Sequence, residues 1–362
     1  MNEVYIKRID MLKKELEEKK EIINRYDFDF KSNPGNLEYL FDITKDSYSY
    51  DYLDNTFCAF KSINNIFYLV YTNEYNSIIS YNIVKDEKIV EIKNAHKKEI
   101  INFRYYLDKL NGRELLISIS DIDNNIKLWN VSNWECLFNF ENVNKKGYLK
   151  SSCFLNDKNN IYIITSNCTH FKFHEPIKVF DFNGKIIKEI NNSNDDTFFI
   201  ESYFDKKLSK NYIITGNKGY IKSYNYNTNK LYNKYCDYNS YGNHDSIIIN
   251  DSENKIIKLI ESSYDGNIRI WDFHHGNMIK KIIVGNDLLN GICLWNNNFL
   301  FVGCKDSTIK LVSLKKGKII KDLNGHNNSV LTLKKINHPK YGECLLSQGK
   351  ENDQIKIWIN FI

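Results

Sequence analysis

The residue types able to do chemistry gather most densely in one stretch of the chain. His244 in "YGNHDS" and Ser263, Asp265 and Trp271 in "SYDGNIRIWD" bring an imidazole, a hydroxyl and a carboxylate within thirty residues. Such groups could serve as a nucleophile, its base and the acid that orients the base. A second cluster, "CTHFKFH" (Cys168, His170, His174), offers thiolate and imidazole ligands close together, but no fourth metal ligand is evident. His274 and His275 fall where a hairpin turn is expected and read as solvated. There is no phosphate-cradling glycine loop and no paired-carboxylate signature. Neither a metal nor an organic cofactor is expected.

The triad reading weakens once the chain is searched for the same set. His96, Asp123 and Trp129 repeat it in part; His326 and Trp358 do so again; Asp306 stands for it once more. Catalysis needs one constellation, whereas fragments returning at a period belong to an architecture. The aromatic that closes each phrase can be followed as Tyr81, Trp129, Phe180, Tyr224, Trp271, Val312 (in an aromatic's place) and Trp358, at a mean spacing of about 46 residues. Each closes a period-2 alternation, as a half-buried strand does. An apolar strand precedes each one ("ELLISIS", "IYIITS", "FLFVGC"). A turn with Gly, Asn or Asp and a further strand follow six of them ("FNGKIIKEI", "LKKGKIIKDL"). Seven units of four antiparallel strands make an all-β, seven-bladed β-propeller.

Over residues 37–362 the chain resembles the WD-repeat family. There a blade can carry a tetrad: a His before the inner strand, a Ser or Thr on the second, an Asp in the next turn, and the Trp. The fifth unit matches with His244, Ser263, Asp265 and Trp271, and Asp272 completes the "WD" pair. The second has His96, Asp123 and Trp129, with Asp121 where a hydroxyl is expected. The seventh has Gly325–His326 and Trp358, with Asn352 in the acidic place and Asp353 one residue late. Unit six keeps Asp306 alone, and units one, three and four lack the set. The resemblance implies structural pegs: an indole N–H buried between blades needs an acceptor, and an imidazole held by a carboxylate can supply it. It also implies a non-catalytic platform whose partners are other proteins.

Composition sets the remaining bounds. Fifty basic against 45 acidic residues and a pI near 8.5 fall short of a nucleic-acid-binding balance. A ribonucleoprotein assembly role stays as an alternative, to be favoured by a basic patch on one face. A ubiquitin-ligase substrate receptor is a further one. It is disfavoured because the Arg such receptors place two residues after the "WD" pair is replaced by Ser132 and His274. The eight cysteines form no CxxC, and several sit within apolar runs, as reduced core thiols do. With no signal sequence and no apolar run of membrane-spanning length, an intracellular, cytoplasmic protein without a membrane partner is expected.

These residues need elements to position them. Residues 1–36 read as a charged helix and a linker broken at "NPG"; Ile9, Leu12, Leu16 and Ile23 form a coiled-coil-like stripe for a partner helix or for docking on the propeller, interrupted by Lys19. The seventh unit reaches Trp358 without an outer strand of its own. "LEYLFDI" at 37–43 alternates as a strand and is expected to supply it, pairing beside "QIKIWI". A monomer is expected.

Overall fold

The computed structural model describes residues 30–50, 55–141, 143, 147–157, 160–166, 168, 175–191, 196–237, 242–251 and 254–360, with Asn243 and His244 described by backbone alone. The expected helix, with Ile9, Leu12, Leu16 and Ile23, and the cluster histidines His170 and His174 lie outside the described residues.

Seven four-stranded antiparallel sheets follow one another as a β-propeller, blades one to six at 57–92, 100–140, 152–190, 197–236, 243–283 and 289–323. Blade seven takes three strands from 330–360 and its fourth, Leu37–Asp42, from the other end of the chain. Naming the strands a to d from the channel to the rim, burial is highest on b and falls off at d. In blade one, strand b (Phe67–Thr72) is buried throughout, while strand d (Glu87–Ile92) is exposed or half-buried. That gradient explains the sequence pattern: continuous apolar runs mark strands covered on both faces, and lysine-laced ones mark the rim.

Seven apolar clusters fill the gaps between neighbouring blades. Between blades one and two, for example, Phe60, Val70 and Ile78 meet Phe103, Leu116 and Trp129. No blade buries its faces alone, so the ring is the stable unit.

The turn between strands c and d repeats one device. The residue after the closing aromatic accepts backbone N–H groups two or more positions on: Asn82 from Val84 and Lys85, Asn225 from Asn227 and Thr228, Asp272 from His274 and His275. A left-handed residue then ends the turn, Asp86, Asn229 or Gly276 in those blades. The pairing register slips at the aromatic itself, a bulge that increases local twist and re-aims the ring.

The ring closes between Leu37–Asp42 and the strand Lys356–Asn360, with Leu37 opposite Asn360, Tyr39 opposite Trp358 and Asp42 opposite Lys356. Lys356 Nζ lies 2.8 Å from Asp42 Oδ1, and Lys321 Nζ of blade six donates to the Leu37 carbonyl at 2.9 Å. Upstream, Phe30 packs edge-on against Trp295 at 4.4 Å, and a 3₁₀ turn at Pro34–Asn36, capped by the Asn33 side chain, leads into the latch strand.

Candidate functional site

Blade seven holds the most complete polar constellation. Trp358 Nε1 donates to Ser347 Oγ at 2.7 Å, Ser347 Oγ meets His326 Nε2 at 2.6 Å, and His326 Nδ1 meets Asp353 Oδ2 at 2.9 Å. Asp353 Oδ2 also accepts from the backbone N–H of Asn327 and Asn328. Burial would raise the Asp353 carboxyl, but His326 and these two N–H groups hold it below the usual range. The acid is therefore Asp353 and not Asn352: the turn carries the later residue into place. The indole's acceptor is a serine, and the imidazole stands one step behind it.

Blade two repeats the inner half. Trp129 Nε1 donates to Ser118 Oγ at 2.8 Å and His96 Nε2 meets the same oxygen at 2.7 Å. The hydroxyl is Ser118; Asp121, in whose place a hydroxyl was expected, pairs with Lys150 at 3.3 Å on the turn. His96 Nδ1 and Asp123 Oδ2 are both buried without a hydrogen-bond partner among the described residues, so the carboxylate arm is not closed. Burial and then the charge of Lys127 lower the His96 pKa to about 3, so the ring is neutral.

Blade five departs from its expected tetrad. Register decides which residue stands where the serine stands elsewhere: it lies two positions beyond the residue opposite the Trp. That residue is Ser118 in blade two, Ser347 in blade seven and Glu261 in blade five. Ser263 instead donates to the Gly242 carbonyl at 2.8 Å. Asp265 binds Arg269 through both carboxylate oxygens. Ser263 also lies within hydrogen-bond reach of Asp265, but Trp271 Nε1 bonds to neither. The expected set is thus assembled only in part, and the His244 side chain lies outside the described residues. By register Ser263 matches Ser120 of blade two and not Ser118, so it stands two positions past the acceptor place.

What blade five builds is a buried ionic cluster. The fully buried Arg269 meets Asp237 Oδ2 at 2.9 Å and Asp265, with Glu261 Oε1 further off at 3.8 Å. One guanidinium faces three carboxyl groups. Burial drives Glu261 up to about 8, more than the nearby Arg269 offsets, so it is the one that keeps its proton. Trp271 Nε1 lies against that carboxyl without reaching hydrogen-bond geometry.

Asp306 serves the turn of blade six, accepting the Thr308 N–H at 3.0 Å and its hydroxyl at 2.5 Å. Opposite the serine position, strand c carries a cation in six blades: Lys127, Lys178, Lys222, Arg269, Lys310 and Lys356. The recurring "IKxW" phrase encodes this cation beside the peg.

The channel is the other polar locus. Two adjoining cavities of about 320 and 290 Å³ share Asn55, Arg104, Ile292 and Lys334 as walls. Arg104 pairs with Glu201 at 2.5 Å, Lys334 with Asn55, and Asp245 accepts the Ile292 N–H at 3.1 Å. Cys58, on the same wall, is pushed up to about 11 by burial and stays a thiol. Arg104 and Glu201 had no signal in the sequence beyond the place of their strands. Among the described residues no group of three metal-ligating side chains converges, and no helix is long and apolar enough to cross a membrane.

No family model matches the chain. It is 28% identical over 116 residues, 32% of its own length, to the U3 small nucleolar RNA-associated protein 21 homolog of Schizosaccharomyces pombe. Over 95 residues, 26% of its length, it is 25% identical to Autophagy-related protein 16 of Arabidopsis thaliana. These matches span 13% and 18% of those proteins, so the likeness is to a part of each.

Proposed function

We propose that this propeller is a WD-repeat-type scaffold that holds other proteins together and performs no chemistry of its own. The observation that carries the reading is the fate of the blade-seven constellation. Ser347, His326 and Asp353 have the connectivity of a nucleophile, base and acid, yet Ser347 is 0% exposed and its oxygen takes the Trp358 indole N–H. A hydroxyl so enclosed cannot meet a substrate, and it serves to set one blade against the next. In the channel, Arg104 and Glu201 are likewise paired with each other.

The test is recovery of the tagged full chain from its source cell, with the co-purifying proteins identified by mass spectrometry. The reading expects defined protein partners that persist after ribonuclease treatment. Loss of all partners on ribonuclease treatment would favour the ribonucleoprotein alternative, which the partial likeness to a small nucleolar RNA-associated protein keeps in view. A purified chain that turns over an acyl or glycosyl substrate would sink the scaffold reading.

A further inference from the structure

The turns joining strands a and b all lie at one end of the ring, and two of them share a phrase: "DKLNGR" in blade two and "DKKLSK" in blade four. In both, the leading aspartate is folded inward. Asp108 is 1% exposed and binds Asn111 and Arg113; Asp205 is 1% exposed and accepts the N–H groups of Lys207 and Leu208. The lysines and leucines are left outside. Lys109, Lys206 and Lys207 are exposed, with Leu110 at 58%, Leu208 at 43% and Phe204 at 49% exposure. These are convex tips; a side-chain carbon added at Gly112 would meet nothing within 4 Å.

The two turns belong to one patch. Blade three bridges them, with Asn156 Nδ2 on Tyr106 Oη at 3.0 Å and Asn211 Nδ2 on the Asn156 carbonyl at 3.0 Å. Burial and then the charge of Lys206 hold the Lys109 ammonium below the usual lysine range. Among the described residues no carboxylate lies in ion-pair range of Lys109, Lys206 or Lys207. The charge of Lys206 beside Lys109 is a standing cost, which an anionic surface laid across the two would relieve.

We propose that this end of the ring seats on an anionic lipid surface, with Leu110 and Leu208 entering the acyl boundary and the three lysines meeting headgroup charge. Charge complementarity requires an anion, and the aliphatic tips select among anions. RNA is gripped by stacked aromatic platforms and guanidinium planes, and here the projecting tips are leucines with Phe204 as the exposed ring beside them. A bilayer yields around a convex apolar tip and offers negative charge beside it. That no helix among the described residues is long and apolar enough to span a membrane bears on insertion and not on surface attachment. The inference is independent of the scaffold reading.

The experiment is co-sedimentation of the full chain with vesicles of phosphatidylcholine, and with vesicles in which phosphatidylserine replaces part of it. Binding is expected on the second only, and strong salt should reverse it. The triple variant Lys109→Gln, Lys206→Gln, Lys207→Gln should partition about a hundredfold less, roughly fivefold for each lysine. Leu110→Ser with Leu208→Ser, at unchanged charge, should weaken binding at least about tenfold. All five positions are exposed turn residues, so unchanged melting curves are expected and serve as the folding control. No partition of the wild type onto either vesicle overturns the proposal. So does lysine-dependent binding that ignores the leucines and is displaced by polyuridylate, which would mark a nucleic-acid face.

Discussion

Ser347 and Ser118 each take the indole N–H of a tryptophan eleven residues further along the chain, and each passes the bond on to a histidine. Removing such a hydroxyl strands two buried groups at once. Ser347→Ala should therefore cost about 1–3 kcal/mol, the penalty for unpaired buried polar atoms, measured as a shift in the urea midpoint. An unchanged midpoint would show that the network carries no stability. At Glu261 the effect depends on pH. Its folded pKa near 8 lies above the model-peptide carboxyl value of 4.5. Its contribution is thus fully present below the unfolded value and is lost as pH rises through about 8. Glu261→Gln imitates the protonated side chain at every pH. The variant should match the wild type near pH 4.5 and exceed it by about 1–3 kcal/mol at pH 7, following the proton-linkage slope. A stability gap that does not grow with pH would mean that Glu261 is ionised in the fold.

Strands and turns were legible where their chemistry is local. Alternation marks strand c in every blade, and Asn, Asp or Gly after the aromatic marks the turn that follows. The constellations were less so, because a tetrad is fixed by register between strands and not by distance along the chain. In blade five the residue two past the one opposite Trp271 is Glu261 and not a serine. In blade seven, whose Ser-to-Trp spacing equals that of blade two, the acid sits one place nearer the Trp, at Asp353 and not Asn352. Nothing local in the sequence reveals either slip. The latch strand is the element with most at stake. It buries Leu37 completely and covers the edge of Lys356–Asn360, where Ile359 is 7% exposed with the latch in place. A chain beginning at residue 50 loses that strand and opens a sheet edge that proteins avoid exposing. It should lose about 3 kcal/mol or more from apolar burial alone, and should aggregate on heating. A truncated chain that melts with the full one would mean the ring tolerates an open blade.

At the scale of the whole molecule, the repeat spacing foretold the ring, but not how its blades are tied. Outer strands three, five and six each send a lysine to a backbone carbonyl of the next blade: Lys188 to Tyr226 at 2.6 Å, Lys280 to Leu314 at 3.0 Å, Lys321 to Leu37 at 2.9 Å. These lysines also bear on association. Each outer strand ends its sheet and exposes apolar side chains, Met278, Ile279 and Ile283 in blade five and Ile186 and Ile187 in blade three. An unguarded edge of that kind would pair with another molecule, and interleaved lysines are a common defence. The stripe at Ile9, Leu12, Leu16 and Ile23 spans about three heptads with Lys19 in its path, too little for strong self-association. A monomer is therefore the expected state at micromolar concentration. Light scattering on the full chain and on a chain beginning at residue 30 checks this. A dimer in the full chain alone would give self-association to the first residues, and a dimer in both would give it to the ring. Lys280→Ile with Lys281→Ile should turn the monomer into oligomers, since it removes both charges from "MIKKII" and joins its apolar residues into one run. If that variant stays monomeric, the lysines are inter-blade ties only, and the edge is guarded by its twist.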